Sequence, residues 1–270
     1  MSLLKRIESD KIQSDSIQIS FLGQSGYVIK TIDSIIYIDP YLSDYVEHDD
    51  GLNQKNMKRN YKPPIKPEEI KKIDAVLCTH SHVDHMDPWT LEGINQDFIF
   101  IATENAYNNN PTKLSEKFIR FIDISNEPIN IKNINIRAIP AAHYHLLGSD
   151  GKPDCISFII QVYGKTFLFW GDGVIYDGLI EKLKEYSFDL LFAPINGRDW
   201  FREKLGIVGN LNSRELAELC REIDIGTVIP NHHDLFDYNG EYLEHFTNYL
   251  NKFCPNQTYN NLSYGDSLIL

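Results

Sequence analysis

The sequence predicts an α+β protein in which β-sheets are covered by helices. Three observations indicate this class. A series of short strands opens the chain, strands and helices alternate from residue 74 onward, and the side chains best suited to chemistry follow directly after strands. Because a sheet must bury its apolar faces, helices inserted between strands are expected to cover them.

The first strands are predicted to form an antiparallel meander. Residues 18–22 alternate polar and apolar side chains, a turn with glycines follows at residues 23–26, and residues 27–29 and 35–38 are the next β-rich segments. Alternation of this kind is typical of strands, and Gly and the Asp39-Pro40 pair are typical of turns.

Residues 41–66 are predicted to form an irregular loop excursion near the functional site. They are rich in Asn, Lys, Asp and Pro and show no clear periodicity. A loop of this length inside a domain is often functional.

Apolar segments bounded by turn residues define the rest of the chain. We expect strands over residues 74–79, 98–102, 131–139, 156–162, 165–170, 189–193 and 226–229. We expect helices over residues 88–93, 112–117, 213–223 and 242–253, and another after Asp177. The helix over residues 213–223 has the clearest pattern, because Asn212 can cap it and Leu216, Leu219 and Ile223 recur on one face.

Composition and charge restrict the function. The chain has 270 residues, of which 42% are hydrophobic and 24% charged, as in ordinary globular proteins and unlike disordered, collagen-like or coiled-coil chains. The net charge of −12 disfavours a nucleic-acid partner, since binding to phosphate backbones depends on clustered Lys and Arg.

The cysteines and the apolar segments predict a cytoplasmic protein without a membrane partner. Cys78, Cys155, Cys220 and Cys254 share no close spacing, which excludes a zinc-ribbon pattern and favours reduced thiols. The longest apolar segments are far shorter than the ~20 residues that span a bilayer. The N-terminal residues contain no apolar stretch of the length that a secretory signal needs.

Histidine is distributed unevenly. Seven of the nine histidines fall into three clusters, at residues 80–85, 143–145 and 232–233. The first cluster contains His80, His82, Asp84 and His85 directly after an apolar strand. Imidazole and carboxylate side chains are ligands for Zn, Fe and Mn, and four of them in one loop can serve two adjacent ions.

The spacing His-x-His-x-Asp-His after a strand resembles the signature of the metallo-β-lactamase superfamily. Further parts of that pattern follow in order over about residues 18–235: Asp39 ends an early strand, His143 follows Pro140, Asp172 ends a strand, and His232 follows Pro230. The resemblance implies a four-layer αββα sandwich and a single domain over residues 1–270.

The resemblance also implies a ligand set. His80, His82 and His143 would bind one metal ion, Asp84, His85 and His232 would bind the other, and Asp172 would bridge both. Asp39 would orient a ligand loop or a histidine without contacting metal. His145 and His233 are alternatives within their clusters, although the distances from Pro140 and Pro230 favour His143 and His232.

Three stretches resemble the branch that contains L-ascorbate-6-phosphate lactonase. They lie at residues 194–199, 209–212 and 229–234, and they provide Asn196, Arg198 and His233 as candidate substrate-binding residues. Arg198 can hold an anionic group, although pairing with Asp199 is an equally good interpretation. The chain departs from the lactonase in being shorter and in having His143 where that pattern has an acid. Asp172 occupies the bridging position without a nearby Cys, which argues against a zinc β-lactamase.

The predicted function is hydrolysis of a small, anionic lactone or ester by a metal-bound hydroxide. Two divalent ions, Zn or Mn with Fe also compatible, would generate the nucleophile, and Asp84 and Asp172 would be catalytic. One of these two carboxylates or a bound water would pass a proton to the leaving group, and Asp84 is the favoured candidate. The alternatives are a phosphodiesterase or nuclease of the same fold and a non-catalytic metal-binding protein. The expected partner is a small molecule, and a homo-oligomer is compatible with the sequence.

Overall fold

Two mixed seven-stranded sheets lie at the centre of the protein in a computed structural model, which describes residues 2–48, 57–123 and 127–270. The strands of the first sheet, in spatial order, are β14 (Ser267–Ile269), β1 (Gln18–Gly23), β2 (Gly26–Lys30), β3 (Ile35–Ile38), β4 (Ala75–Leu77), β5 (Ile99–Ala102) and β6 (Ile119–Phe121). From β14 to β3 neighbouring strands are antiparallel, whereas β3 to β6 are parallel.

The second sheet repeats this mixture. Its strands, in spatial order, are β13 (Thr258–Tyr259), β12 (Asp224–Asn231), β11 (Ser187–Pro194), β10 (Lys165–Phe169), β9 (Ile156–Val162), β8 (Ile134–Pro140) and β7 (Ile129–Ile131). Strands β10 to β13 are parallel and β7 to β10 are antiparallel.

The helices lie on the outer faces of the sheets and in the connections between strands. The described helices are α1 (Leu3–Ser9), α2 (Tyr45–His48), α3 (Pro88–Gly93), α4 (Glu104–Asn108), α5 (Leu179–Leu183), α6 (Trp200–Lys204), α7 (Ser213–Glu222) and α8 (Leu243–Phe253). Each described helix falls short of the length and apolarity that crossing a membrane requires.

Alternating side chains build the layers. On β3, Ile36 and Ile38 belong to the core between the two sheets, whereas Ile35 and Tyr37 pack on the outer side with residues of α1 and α3. The outer face of the second sheet packs against α5, α7 and α8. The sequence-based prediction of a four-layer αββα sandwich is therefore confirmed.

Two predicted elements are wrong in detail. Residues 112–115 are not helical, because the Asn110 side chain accepts the Thr112 backbone N–H at 2.8 Å and the Tyr107 hydroxyl accepts that of Leu114 at 3.1 Å. The long strand predicted over residues 131–139 is instead a hairpin of β7 and β8, which turns at Lys132 with φ of 52°.

Of the excursion over residues 41–66, the structure describes residues 41–48 and 57–66, and residues 49–56 lie outside the described residues. Tyr41, Val46 and Met57 are buried and pack with Leu235 and Phe236, which follow β12. The described parts of the excursion therefore form a wall beside the carboxyl end of β12.

Candidate metal centre

Ligand-type side chains gather where the strands of both sheets end. His80 follows β4, His143 follows β8, Asp172 follows β10 and His232 follows β12. The carboxyl ends of parallel strands meet at one edge of a sheet, which brings together residues far apart in sequence.

The loop after β4 is a compact turn. The backbone N–H groups of His85 and Met86 both donate to the carbonyl of His82, at 3.0 and 2.8 Å. The buried Asn110 side chain donates to the carbonyls of Ser81 and Met86, at 2.7 and 2.8 Å. The turn therefore holds His82 and His85 in fixed positions before any ligand is bound.

Asp39 orients two of the histidines. Its carboxylate accepts hydrogen bonds from the Thr79 backbone N–H, the Thr79 hydroxyl and His85 Nδ1, at 2.8, 2.7 and 2.8 Å. The hydroxyl proton of Thr79 is thus committed to Asp39, so Thr79 accepts from His80 Nδ1 at 3.0 Å. In both His80 and His85 the Nε2 atom is left to face the centre of the site. Such support of a metal ligand by a carboxylate is common in metal sites.

The turn that carries Asp172 depends on glycine. Gly171 has φ of 68°, and a Cβ atom there would come within 2.8 Å of the Thr79 side chain. Gly173 has φ of 139°, and its N–H donates to Asn210 Oδ1 at 2.9 Å. Glycine accepts both constraints because it lacks a Cβ atom. The close approach to Thr79 places Asp172 against the loop after β4.

Seven ligand-type side chains form what we call the ligand cluster. They fall into two groups, within each of which the ligand atoms lie within 4.8 Å of one another: His80, His82, His143 and Asp172 in the first, and Asp84, His85 and His232 in the second. Asp172 also reaches the second group, since Oδ1 lies 3.3 Å from His85 Nε2 and Oδ2 lies 3.5 Å from His232 Nε2. These are the groups that the resemblance implies.

The unpaired atoms of the cluster fit a cation. His80 Nε2 is buried and has no hydrogen-bond partner among the described residues, and the buried His85 Nε2 and Asp172 Oδ1 face each other at 3.3 Å. His82 Nδ1 and His143 Nε2 face each other at 3.2 Å, and they form a hydrogen bond only in a tautomer that has a proton on one of these two atoms. Buried polar atoms are seldom left unpaired in proteins. Divalent ions between these donors would satisfy them.

The electrostatics divide the histidines into two kinds. Burial, with the neighbouring His85 and His82 adding to it, holds the pKa of His80 well below its ordinary value, and burial lowers the pKa of His143 to about 3. Both rings are neutral near pH 7, the form that binds metal.

The second group carries protons in the metal-free protein. Burial alone would lower the pKa of His85, but Asp172, Asp84 and Asp39 outweigh it and raise that pKa well above its ordinary value. The pKa of His232 is raised in the same way by Asp172 and Asp84. Burial would raise the pKa of Asp172, but His232 and His85 hold it well below its usual range. Metal binding to this group must therefore displace protons.

Gln24 is a site residue that the sequence reasoning missed. Its side-chain amide donates to Asp84 Oδ2 at 2.7 Å and lies 3.0 Å from His232 Nε2, and its carbonyl accepts the His232 N–H at 3.0 Å. Gln24, Asp39 and His232 all have positive φ, of 55°, 43° and 55°. Such backbone strain in residues other than glycine often accompanies function. The only sequence signal was a Gln inside a glycine turn.

A small pocket opens onto the cluster. Its volume is about 150 Å³, and its floor includes His82, Asp84, Asp172 and His232. Tyr144 also lines it, and the Tyr144 hydroxyl lies 2.6 Å from His82 Nε2. A molecule in this pocket would contact the ligand cluster directly.

Two histidines considered as alternatives lie elsewhere. His145 is exposed, whereas its neighbour His143 is buried within the cluster. His233, the candidate substrate-binding residue, is half-buried, does not line the pocket, and lies beside Asn261.

Asn196 and Arg198 also lie outside the pocket lining. Asn196 is buried and bonds with Asn210 and Asn239, each at 3.1 Å. Arg198 donates to Glu215 Oε2 and to the Asn210 carbonyl, both at 2.8 Å. The expected alternative pairing of Arg198 with Asp199 is wrong, because Asp199 caps α6 and pairs with an arginine of that helix.

Comparison with known proteins agrees with the fold and with the strand-end motif. The family described as beta-lactamase superfamily domain matches residues 35–233. The chain therefore belongs to the metallo-β-lactamase superfamily.

Its relatives are mostly distant in sequence. A UPF0173 metal-dependent hydrolase from Pyrococcus abyssi is 24% identical over 225 residues, covering 81% of this chain and 85% of the relative. The novel metallo hydrolase Igni18 of Ignicoccus hospitalis has a TM-score of 0.65 at 18% identity, covering 94% of this chain and 98% of that one. An isothiocyanate hydrolase from Delia radicum gut bacteria has a TM-score of 0.71 at 12% identity, covering 93% and 98%. At these identities the two structures establish the fold alone.

Proposed function

We propose that this chain is a metal-dependent hydrolase that uses two divalent ions to cleave an ester-like bond, a lactone or another ester, in a small molecule. The observation that carries the proposal is the ligand cluster itself: two groups of ligand atoms within 4.8 Å, several of them buried and unpaired, at the floor of a pocket. The name metal-dependent hydrolase given to the Pyrococcus abyssi relative supports it.

The residues present fit two ions. His80, His82 and His143 would hold one, Asp84, His85 and His232 the other, and Asp172 lies between them. Bound divalent ions would supply an activated water and polarise a substrate oxygen. Zinc and manganese suit this mixture of imidazole and carboxylate, and iron is compatible with it.

Asp84 is the candidate for moving a proton. Its Oδ2 atom is held by Gln24 and lies 3.4 Å from His232 Nε2. Although burial would raise the pKa of Asp84, His85 and His232 hold it below its usual range, so the carboxylate is ionised at neutral pH. Asp84 would accept a proton from the attacking water and return it to the leaving oxygen, and Asp172 would help to orient that water.

We also propose that this chain is related to the lactonase-like branch of the superfamily. This relation is supported by the stretches at residues 194–199, 209–212 and 229–234, and opposed by His143 in place of an acid. The sequence predicts that Arg198 holds an anionic group of the substrate. In the structure Arg198 is paired with Glu215, so Arg198 no longer supports a negative charge on the substrate.

We further propose one domain over residues 1–270, because both sheets contribute ligand residues, and a reducing cytoplasmic setting, because the four cysteines are free thiols. A small-molecule substrate rather than a nucleic acid agrees with the net charge of −12.

The experiment is a metal-depletion and substrate-panel assay. The protein is stripped with a chelator, reloaded separately with Zn, Mn or Fe, and assayed on aryl esters, γ- and δ-lactones and bis(p-nitrophenyl) phosphate. We expect ester or lactone hydrolysis that disappears on stripping and returns on reloading. Cleavage of the phosphodiester alone would favour a phosphodiesterase, and metal uptake without any turnover would favour a non-catalytic protein.

A further inference from the structure

The walls of the pocket differ chemically from its floor. The floor consists of ligand residues, but Val46, Met57, Val83, Ile207 and Val208 surround the opening above it. These side chains come from three separated segments: the excursion, the loop after β4 and the turn after α6. Three independent segments therefore present aliphatic groups to the same space.

The walls are parts of packed structure. Val46 and Met57 are buried against Leu235 and Phe236. On the opposite side, the Ile207 N–H donates to the Arg202 carbonyl at 3.0 Å, which closes the turn after α6. The apolar side chains of the pocket are thus held in place by packing on one side and by a backbone hydrogen bond on the other.

The segments around the pocket hold arginines, but each is bound elsewhere. Arg59 donates to the Ser43 carbonyl at 2.6 Å, Arg198 pairs with Glu215, and Arg202 donates to the Asn196 carbonyl at 2.8 Å. Among the residues described as lining the pocket there is no Lys or Arg. Apart from bound metal ions, an anionic substituent there would therefore find no cationic side chain on the described walls.

We propose that the substrate is neutral and places an apolar group of about the size of a benzene ring against the aliphatic walls, with the ester bond over the ligand cluster. An engineered apolar cavity of about the same volume, 150 Å³, accommodates benzene in another protein. Tyr144 and Asn239 are the polar lining residues outside the cluster, and the Tyr144 hydroxyl would orient the substrate. This inference rests on the proposed hydrolase function.

The reaction needs water alone as co-reactant. Water adds to the ester carbonyl, the bond from that carbon to the leaving oxygen breaks, and the proton removed from the water ends on the leaving oxygen. The products are a carboxylic acid, which ionises, and a neutral alcohol or phenol.

The test compares two aryl acetates, one of which has an added carboxylate on the ring. Phenyl acetate and 4-carboxyphenyl acetate have the same scissile bond, and the expected result for the metal-loaded protein is a kcat/KM at least about tenfold higher for the neutral ester, the scale of one hydrophobic contact. Ile207→Lys should reduce or reverse this preference. The matched control is Ile32→Lys, since Ile32 is 60% exposed in the turn between β2 and β3 at the far end of the first sheet.

A binding measurement gives a readout independent of turnover. Benzamide, a neutral probe with a ring of the required size, is titrated into each metal-loaded variant by ligand-observed NMR. Binding should weaken about tenfold in Ile207→Lys and stay unchanged in Ile32→Lys. Metal content is measured in parallel, so that loss of the site itself is recognised.

The outcomes separate this inference from the proposed function. Preference for the carboxylated ester, or benzamide binding that Ile207→Lys does not alter, would overturn the neutral-substrate inference while hydrolysis still stands. Benzamide binding that depends on Ile207, with no ester or lactone hydrolysed by any metal form, would overturn the proposed function and leave the inferred pocket chemistry standing.

Discussion

The ligand cluster and the asparagine network beside it are both polar and largely buried, yet their side chains are satisfied in opposite ways. We define the network as Asn196, Arg198, Asn210 and Asn239. Its members bond to one another and to Glu215, at distances of 2.8 to 3.1 Å. The ligand cluster instead contains buried atoms without hydrogen-bond partners among the described residues, such as His80 Nε2.

This difference separates a binding site from its support. A polar network whose members satisfy one another stabilises the loops that contain it, and has little left to offer a ligand. The network supports the cluster through one contact in particular, because Asn210 Oδ1 accepts the Gly173 N–H beside Asp172. Both regions were candidate sites in the sequence, and hydrogen bonding is what distinguishes them.

The largest expected effect is that of Asp172→Ala. Asp172 lies within 3.3 to 3.9 Å of four histidines of the cluster, so its loss removes an anionic ligand from both groups. Since loss of a group that merely supports a ligand costs about 10–100-fold in metal affinity, we expect a loss above about 100-fold here, with activity lost as well. Metal content by elemental analysis checks this. Full turnover in the variant would refute the assignment, and Asp97→Ala, at an 82% exposed side chain, is the control.

The next effect is that of Asp39→Asn. The amide cannot accept all three hydrogen bonds that Asp39 receives, so His80 and His85 lose their fixed orientation. We expect metal affinity to fall about 10–100-fold, measured by competition with a chelator.

Asp87→Asn is the matched control for Asp39→Asn. Asp87 is also a buried carboxylate with several hydrogen bonds, but these run to Ser43, Trp89 and Thr90, outside the ligand cluster. Asp87→Asn should lower the free energy of unfolding while sparing metal affinity. Equal loss of affinity in both variants would show that Asp39 acts through general stability alone.

Protons should compete with metal at the second group. Because carboxylates raise the pKa values of His85 and His232, these rings hold a proton more tightly than free histidines do, and metal must displace the protons that are bound. Affinity should therefore fall as the pH is lowered, by up to about tenfold per pH unit for each proton displaced. Chelator competition between about pH 6 and pH 8 measures this slope. A flat profile would contradict the protonation of this group.

The smallest functional effect is expected for Arg198→Ala. Removing the guanidinium breaks the pair with Glu215 and the bond to the Asn210 carbonyl, so the free energy of unfolding should fall by about 1 kcal/mol. Metal content and KM should stay unchanged, as chemical denaturation and steady-state kinetics would show. A raised KM with unaltered stability would instead restore the role in anion binding that the sequence predicts.

Part of the site could be predicted because its residues lie close together in the sequence. His80, His82, Asp84 and His85 occupy one loop, and a ligand that follows a strand is brought to the sheet edge by the fold. Periodicity predicted that helices cover the sheets, and the family resemblance implied the four-layer arrangement.

The remaining features depend on tertiary contacts. Arg198 pairs with Glu215 because residues 196 and 212 form an isolated β-bridge, which no local pattern reveals. Gln24 reaches Asp84 and His232 through a strained turn with positive φ. Val46, Met57 and Ile207 meet at the pocket from segments without periodicity, so the sequence indicated the residues of the ligand cluster but not the apolar walls.

Whether the ligand cluster binds two metal ions can be measured by elemental analysis of the protein purified without added metal. We expect close to two equivalents of Zn, Mn or Fe per chain, lost on treatment with a chelator and absent from Asp172→Ala. A protein that binds none of these ions with either group, while remaining folded, would contradict this expectation.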